Sequence, residues 1–175
     1  MLMRPGRRGR DRGAAAVEFA LVVPVLFMLL MGIVNYGLWF NDSLQLRQGI
    51  REAARQAVVL VPLGGTDPTT GAACGTLLGM NNVACGTKSQ TVTTGGVASV
   101  QILTPDGWVR GHEVVVCAWV SSTNFTGFVP LPAGGIIKSK TTMSIESVPT
   151  PAPTPTSYTA DAPPPNGNWT SWCTR

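Results

Sequence analysis

The sequence predicts an α+β protein in which one long N-terminal helix packs on a small antiparallel β-sheet, with disulfides and a Pro-rich tail. An apolar span at residues 14–40 leads directly into a polar segment, 41–61, that keeps a helical repeat of apolar residues. Strand-like runs bounded by Gly and Pro turns then follow in the second half of the chain. A length of 175 residues leaves room for one membrane helix and one modest domain.

The basic residues are concentrated before the apolar span. Five of the thirteen Lys and Arg residues precede Gly13, together with one of the nine acids, so the charges balance from Ala14 onward. Segment 1–13 is therefore predicted to be a cytoplasmic leader, too polar to fold alone, because positive charge beside a membrane span stays in the cytoplasm. A nucleic-acid partner is not expected, since its binding face needs Lys and Arg spread over a folded surface.

Residues 14–40 are predicted to form a transmembrane helix, because about 20 apolar residues are enough to cross a bilayer. A cleaved secretory signal is disfavoured, since the small residues Ala14–Ala16 precede the apolar run instead of following it. Pro24 lacks a backbone donor and predicts a kink or loosened turn. Glu18 needs an explanation, because an ionised side chain costs about 2.5–3.5 kcal/mol at the centre of a span. The alternative is that Glu18 lies at the headgroups and reaches water.

The segment 41–61 is predicted to be an amphipathic helix that emerges from the membrane and ends before Pro62. Its apolar stripe consists of Leu46, Ile50, Ala53, Ala54, Ala57 and Val61. This stripe is the available cover for the apolar face of the sheet, although a simple linker helix would show the same pattern.

Residues 62–148 are predicted to form an extracytoplasmic α+β domain. A short helix is expected at Thr69–Met80, and strands at Val97–Leu103, Glu113–Val120 and Ile136–Val148. Residues 149–175 form a Pro-rich, extended tail that ends in Trp169, Trp172 and Cys173. We expect this end of the tail to be fastened back onto the domain.

The four cysteines, Cys74, Cys85, Cys117 and Cys173, all follow the apolar span. An even number in a small exported domain predicts two disulfides, with three possible pairings. A zinc site is the rival interpretation, but the cysteines are widely spaced and His112 is the single histidine in the sequence. The preferred pairing is Cys74 with Cys85 and Cys117 with Cys173.

Catalysis finds little support in the sequence. His112–Glu113 is the one acid/base-like pair, and no nucleophile motif or metal spacing accompanies it. The N-x-S/T sequences at Asn41, Asn124 and Asn168 are short enough to arise by chance. We therefore expect neither an enzyme nor a bound metal, cofactor or small-molecule substrate.

Two segments carry a resemblance to a known family. The run RGAAAVEFALVVPVLFMLLMGIVNYG, followed by REAAR, resembles the N-terminal region of TadE-like proteins, pseudopilins of the Flp/Tad tight-adherence pilus. The segment LPAGGIIKSKTTMSIES resembles the closing strand of the same family. The resemblance is close over residues 10–60 and loose over 113–148.

The resemblance implies a role for particular residues. A prepilin peptidase would cleave after Gly13, which makes Ala14 the new N-terminus and Glu18 its fifth residue, followed by Phe19. Glu18 would then pair with the free amine of a neighbouring subunit. The implied function is that of a minor pseudopilin, a membrane-anchored assembly component of an adhesive pilus.

The implied partners are prepilin peptidase, other pilins and pseudopilins, and the inner-membrane Tad assembly proteins. The implied location is the inner membrane, with a cytoplasmic N-terminus and an extracytoplasmic C-terminal domain. The alternative is an uncleaved, single-pass binding module of the cell envelope. That alternative explains the helix, the disulfides and the tail, but not the offsets between Gly13, Ala14 and Glu18–Phe19. An anchored hydrolase lacks candidate residues.

Overall fold

One helix runs through the first third of the protein. The structure is a computed structural model that describes residues 8–59, 64–76, 80–127, 129–148, 161–165 and 167–174. Helix α1 (Arg8–Val58) has 51 residues and continues without a break through Pro24. At 1.5 Å per residue it is about 76 Å long.

Both ends of α1 differ from the prediction. The helix begins at Arg8, inside the segment predicted to be too polar to fold alone. Extending an existing helix is far cheaper than nucleating one, and the apolar span supplies the nucleus. The helix ends at Val58, a few residues earlier than expected.

The rest of the described chain forms a small domain around a three-stranded sheet. Strands β3 (Ser99–Leu103), β4 (Glu113–Ser121) and β5 (Ile136–Ser144) are antiparallel in the order β3-β4-β5. A second helix and a short hairpin precede this sheet: α2 (Met80–Gln90), β1 (Val92–Thr93) and β2 (Gly96–Val97). The predicted α+β class, with its long apolar helix and small antiparallel sheet, is confirmed.

Of the short helix predicted at Thr69–Met80, the described residues form a 3-10 helix at Cys74–Thr76 that carries Cys74, and residues 69–73 are not helical. Asp67 folds the start of that segment into a turn, because its Oδ1 accepts hydrogen bonds from the backbone N–H and the hydroxyl of Thr69, at 2.8 and 2.5 Å. The α-helix that follows, α2, begins at Met80. The predicted strand Val97–Leu103 is also divided, since Ala98 separates β2 from β3.

The apolar stripe of α1 covers one face of the sheet, as predicted. Leu46, Ile50 and Ala54 are fully or almost fully buried, and they share a core with alternate residues of β4. Those β4 residues are Val114, Val116, Ala118 and Val120. Ala53 and Val58 are buried on the same helix, whereas the side chain of Ala57 and residue Val61 lie outside the described part of the chain.

The other face of the sheet is covered by the end of the chain, which we call the C-terminal strap (residues 161–165 and 167–174). Val115 and Cys117 of β4 pack with Trp169 and Cys173. The indole Nε1 of Trp119 donates to the carbonyl oxygen of Ala162 at 2.9 Å. The expected attachment of the tail to the domain is thus present, and it makes β4 a strand buried on both faces.

Asp161 joins the strap to the edge of the sheet. Its backbone N–H donates to the carbonyl oxygen of Val100 at 3.2 Å, and its Oδ2 accepts from the N–H of Val100 at 2.9 Å. The same carboxylate forms a 2.9 Å ion pair with Nζ of Lys88 on α2. Asp161 therefore satisfies backbone groups that β3 would otherwise leave open at its edge.

The structure contains the disulfides Cys74–Cys85 and Cys117–Cys173, the pairing preferred from the sequence. The first ties the turn segment before α2 to α2 itself. The second fastens the strap to the central strand. Such cross-links suit a domain this small, whose core alone buries a limited share of its surface.

We predict that Gly49→Ala destabilises the domain. A Cβ at Gly49 would lie 2.1 Å from Cγ2 of Thr91, a fully buried side chain at the end of α2. The overlap forces α1 and α2 apart, at an expected cost of about 1–3 kcal/mol. Chemical unfolding of the detergent-solubilised protein, followed by circular dichroism, measures the change.

The matched control is Gly37→Ala on the same helix, where an added Cβ meets no heavy atom within 4 Å. This variant should equal or exceed the parent in stability, because Ala favours a helix over Gly by about 0.5–1 kcal/mol. Equal stability of the two variants would contradict the close packing of α1 on α2.

We also predict that Asp161→Ala loosens the strap. Its loss leaves the buried N–H of Val100 and the ammonium of Lys88 without this partner, which should cost about 1–3 kcal/mol. Amide hydrogen exchange at Val100 should accelerate in parallel. Glu146→Ala removes an exposed carboxylate and serves as the control, with an expected change within about 0.5 kcal/mol. Unchanged exchange at Val100 would show that Asp161 does not hold the sheet edge.

Candidate membrane-spanning and subunit-packing helix

Helix α1 changes character at Asn35. Between Ala14 and Val34 its side chains are largely exposed, although almost all of them are apolar. The exposed large residues are Val17, Phe19, Leu21, Val22, Val25, Leu26, Phe27, Met28, Leu29, Leu30, Ile33 and Val34. Within the described residues, α1 is the one helix that is long and apolar enough to cross a membrane. A surface this apolar needs lipid or other helices as its partner.

Among the described residues, the hydrogen bonds that join the domain to α1 begin at Asn35. This side chain is 1 % exposed, and its Nδ2 donates to Asn124 Oδ1 at 3.1 Å and to Thr126 Oγ1 at 2.5 Å. The hydroxyl of Tyr36 donates to the carbonyl oxygen of Pro130 at 3.1 Å.

Domain contacts therefore start before residue 40, where the sequence predicts the span to end. Aromatic residues at 36–40 suit a membrane interface and a protein contact equally well, so hydropathy alone does not locate this boundary.

Asp42 supplies a second polar attachment, two turns along the helix. The carboxylate is fully buried. Its Oδ1 accepts from the N–H of Thr94 at 3.0 Å, and its Oδ2 accepts from the hydroxyls of Thr94 and Ser122 at 2.5 and 2.8 Å. Three donors compensate the loss of water around the charge. Asn35 and Asp42 were not predicted as contact residues, although both lie on the face that continues into the Leu46 and Ile50 stripe.

The residues implied by the family resemblance lie together near the start of α1. Gly13, Ala14, Glu18 and Phe19 are all exposed, and an added Cβ at Gly13 meets no heavy atom within 4 Å. Ala14 and Glu18 are four residues apart, so they share one face of the helix, about 6 Å apart along its axis. Among the described residues, the hydrogen bonds that join the sheet domain to α1 begin at Asn35, 16 residues after Phe19.

From Arg47 to Arg55, the face of α1 that points away from the domain is polar. Arg47, Arg51 and Arg55 are exposed at four-residue intervals. Arg55 forms a 2.9 Å ion pair with Glu52. Hydrogen bonds from Arg55 and Gln56 lower the pKa of the Glu52 carboxyl to about 2, so this side chain stays ionised at neutral pH. The pair is exposed and contributes little to stability.

The His112–Glu113 pair lies at the start of β4, where the Nδ1 atom of His112 is 3.1 Å from the carbonyl oxygen of Asp106. This contact closes a turn. Across the residues that the structure describes, no group of three or more His, Cys, Asp or Glu side chains is placed to hold a metal ion. All four cysteines are in disulfides.

Comparison with known proteins gives a family match over the long helix. Residues 13–55 match the family model described as TadE-like protein. The match begins at Gly13 and ends three residues before the end of α1, so it covers the apolar span and the packing stripe but not the sheet. No curated protein and no solved structure matches the chain. Over residues 13–55, about a quarter of the chain and most of its long helix, the protein is similar to TadE-like proteins.

Proposed function

We propose that this protein is a minor pseudopilin of the TadE type, a membrane-anchored, non-enzymatic component of Flp/Tad pilus assembly. The observation that carries the proposal is the exposed apolar part of α1 with its single carboxylate, Glu18. The family match over this helix supports a Tad pilus-associated membrane component. The uncleaved envelope binding module is the alternative to be tested against it.

The dimensions of α1 support membrane insertion. The segment from Ala14 to Val34 is about 31 Å long at 1.5 Å per residue, close to the roughly 30 Å hydrocarbon thickness of a bilayer. Polar attachments to the domain begin at the next residue, Asn35. Five arginines in the first 12 residues favour a cytoplasmic N-terminus, which leaves the sheet domain and its disulfides outside. The inner membrane is the membrane that this proposal implies.

Processing by a prepilin peptidase would occur between Gly13 and Ala14. Helix α1 passes through this bond, so cleavage requires the residues before Ala14 to unwind. Gly13 favours unwinding, because Gly is about 1 kcal/mol less favourable than Ala in a helix. Its freedom from side-chain neighbours gives the peptidase access. Cleavage would also remove the arginines that hold the N-terminus at the cytoplasmic face.

Glu18 would act in contacts between subunits. In the processed chain, the new amine of Ala14 and the carboxylate of Glu18 both lie near the membrane boundary. Pairing across a helix interface neutralises both charges and reduces the cost of leaving water. The two groups also share a face within one helix, so an internal pair is the competing arrangement. An internal pair would favour insertion of each chain but would not join one chain to another.

Processing by the peptidase fixes the mass of the mature protein. Mass spectrometry of the protein purified from its own host should find a mature N-terminus at Ala14. Replacement of Gly13 by a bulky residue such as Leu should leave the leader attached, because the pocket of the peptidase would have to accept a side chain at the cleavage site. Gly32→Leu is the control, since this glycine lies on the same helix and a Cβ added there meets no heavy atom within 4 Å. An intact leader on the parent protein would exclude processing and favour the anchored binding module.

A substitution at Glu18 distinguishes a pair between two subunits from a pair within one chain. Glu18→Ala should be cleaved and retained in membranes, but its recovery with other pilins after cross-linking and in sheared pilus fractions should fall by roughly tenfold or more. A charge-assisted hydrogen bond contributes about 1.5–3 kcal/mol, and 1.4 kcal/mol is a factor of ten.

Glu52→Ala is the matched control, since it removes an exposed carboxylate from the same helix outside the apolar span. It should assemble like the parent. Normal assembly of Glu18→Ala would refute the pairing between subunits. If Glu18→Ala is lost from membranes, but the molecules that remain there assemble normally, Glu18 pairs with the Ala14 amine of its own chain.

A further inference from the structure

The loop between β4 and β5 is attached to α1 where the apolar segment ends. We call its described residues, 122–127 and 129–131, the membrane-proximal loop. Asn124 organises it, because its Oδ1 accepts from Asn35 Nδ2 at 3.1 Å and from the N–H of Gly127 at 3.0 Å, while its Nδ2 donates to the carbonyl oxygen of Val129 at 3.0 Å. The side chain of Asn124 is thus engaged in holding this loop on the helix.

Phe125 stands between the two residues that accept hydrogen bonds from Asn35, and its side chain is 75 % exposed. It is the most exposed large apolar side chain of the sheet domain among those that the structure describes. Transfer of an exposed Phe side chain from water to an apolar environment lowers the free energy. The residues around Phe125 add no cost of transferring a charge, because the sequence from Ser122 to Gly135 contains no charged residue.

The loop at the opposite end of the domain has a different composition. Residues 104–112, between β3 and β4, include Asp106, Arg110 and His112. This loop lies near the end of α1, since Gly111 donates to the carbonyl oxygen of Ile145 and the next residue, Glu146, donates to that of Val58. Val58 is about 35 Å from Asn35 along the helix axis. The uncharged end of the domain is therefore the end beside the apolar segment of α1.

We propose that the membrane-proximal loop places Phe125 in the headgroup and upper acyl region of the membrane that α1 spans. Asn35 directly follows Val34, the last exposed residue of the apolar segment. The exposed aromatic side chains of Tyr36 and Phe40 follow within about one and a half turns of the helix, and Tyr is one of the residues enriched at membrane interfaces. The lipid surface around α1 is continuous with this position, which is why lipid, and not a second protein, is the partner that we assign to Phe125.

This contact gives the protein two attachments to the bilayer. Helix α1 alone would let the domain rotate about the helix axis, whereas a second contact beside the helix restricts that rotation. One side of the domain then faces lipid, and the polar face with Arg47 and Arg51 is held outward. The proposal depends on the part of the proposed function that has α1 cross a membrane, and it does not depend on pilus assembly.

Spin labels on single introduced cysteines test the proposal, because the four native cysteines are in disulfides. The full-length variants Phe125→Cys, Val109→Cys and Leu30→Cys are labelled and reconstituted in phosphatidylethanolamine–phosphatidylglycerol vesicles. Val109, 48 % exposed in the loop between β3 and β4, is the matched control, and Leu30, 50 % exposed, reports the insertion of α1. Power saturation compares access to oxygen, which enters lipid, with access to a water-soluble nickel chelate.

The label at residue 125 should be several-fold better protected from the nickel chelate than the label at 109, and better exposed to oxygen. Protection at 30 with none at 125 would overturn the lipid contact while leaving the membrane anchor intact. Free access of nickel at both 30 and 125 would refute insertion itself. Protection at 125 that disappears when protein is diluted with lipid would identify a second copy of the chain as the partner and would also overturn the proposal.

Discussion

The packing of α1 on the sheet is the interaction on which the rest of the structure depends. Leu46, Ile50 and Ala54 lose all or nearly all contact with water against alternate residues of β4, and such burial contributes about 25 cal/mol per Å² of apolar surface. The same helix continues toward the N-terminus with its apolar side chains exposed. The C-terminal part of α1 therefore packs in the core of the domain, and its N-terminal part presents an apolar surface for a second partner. Asn35 and Asp42 mark the transition with polar contacts that hold the domain at a defined height on the helix.

A small three-stranded sheet is stable only when both of its apolar faces are covered. Two segments that are far apart in the sequence cover them. Helix α1 takes one face, and the C-terminal strap takes the other through Trp169 and the Cys117–Cys173 disulfide. Asp161 adds the closure of the β3 edge. Because the strap is fixed covalently to the central strand, the domain gains stability that its small core could not provide alone.

The elements with strong periodicity were predictable from the sequence, and the elements held by tertiary contacts were not. Leu46, Ile50 and Ala54 recur at helical spacing, and the apolar run of β4 and the alternation of β5 indicate strands directly. Helix α2, with the sequence MNNVACGTKSQ, is poor in strong helix formers. Its packing against α1 through Val83 and Ala84 outweighs that weak propensity. The boundary at Asn35 was missed for a related reason, since an Asn followed by aromatic residues carries no signal for a partner some 90 residues away. The roles of Gly13 and Glu18 stay predictions from the family resemblance.

The central claim is that α1 is one uninterrupted helix whose first part lies in lipid and whose second part lies in the domain core. Hydrogen–deuterium exchange of the full-length protein in lipid nanodiscs, read by mass spectrometry, tests it most directly. Slow exchange should extend without a gap from the start of the apolar segment to Val58, through lipid in residues 14–34 and through packing in residues 35–58. Rapid exchange between residues 30 and 42 would show a flexible joint between anchor and domain, and would contradict the single helix.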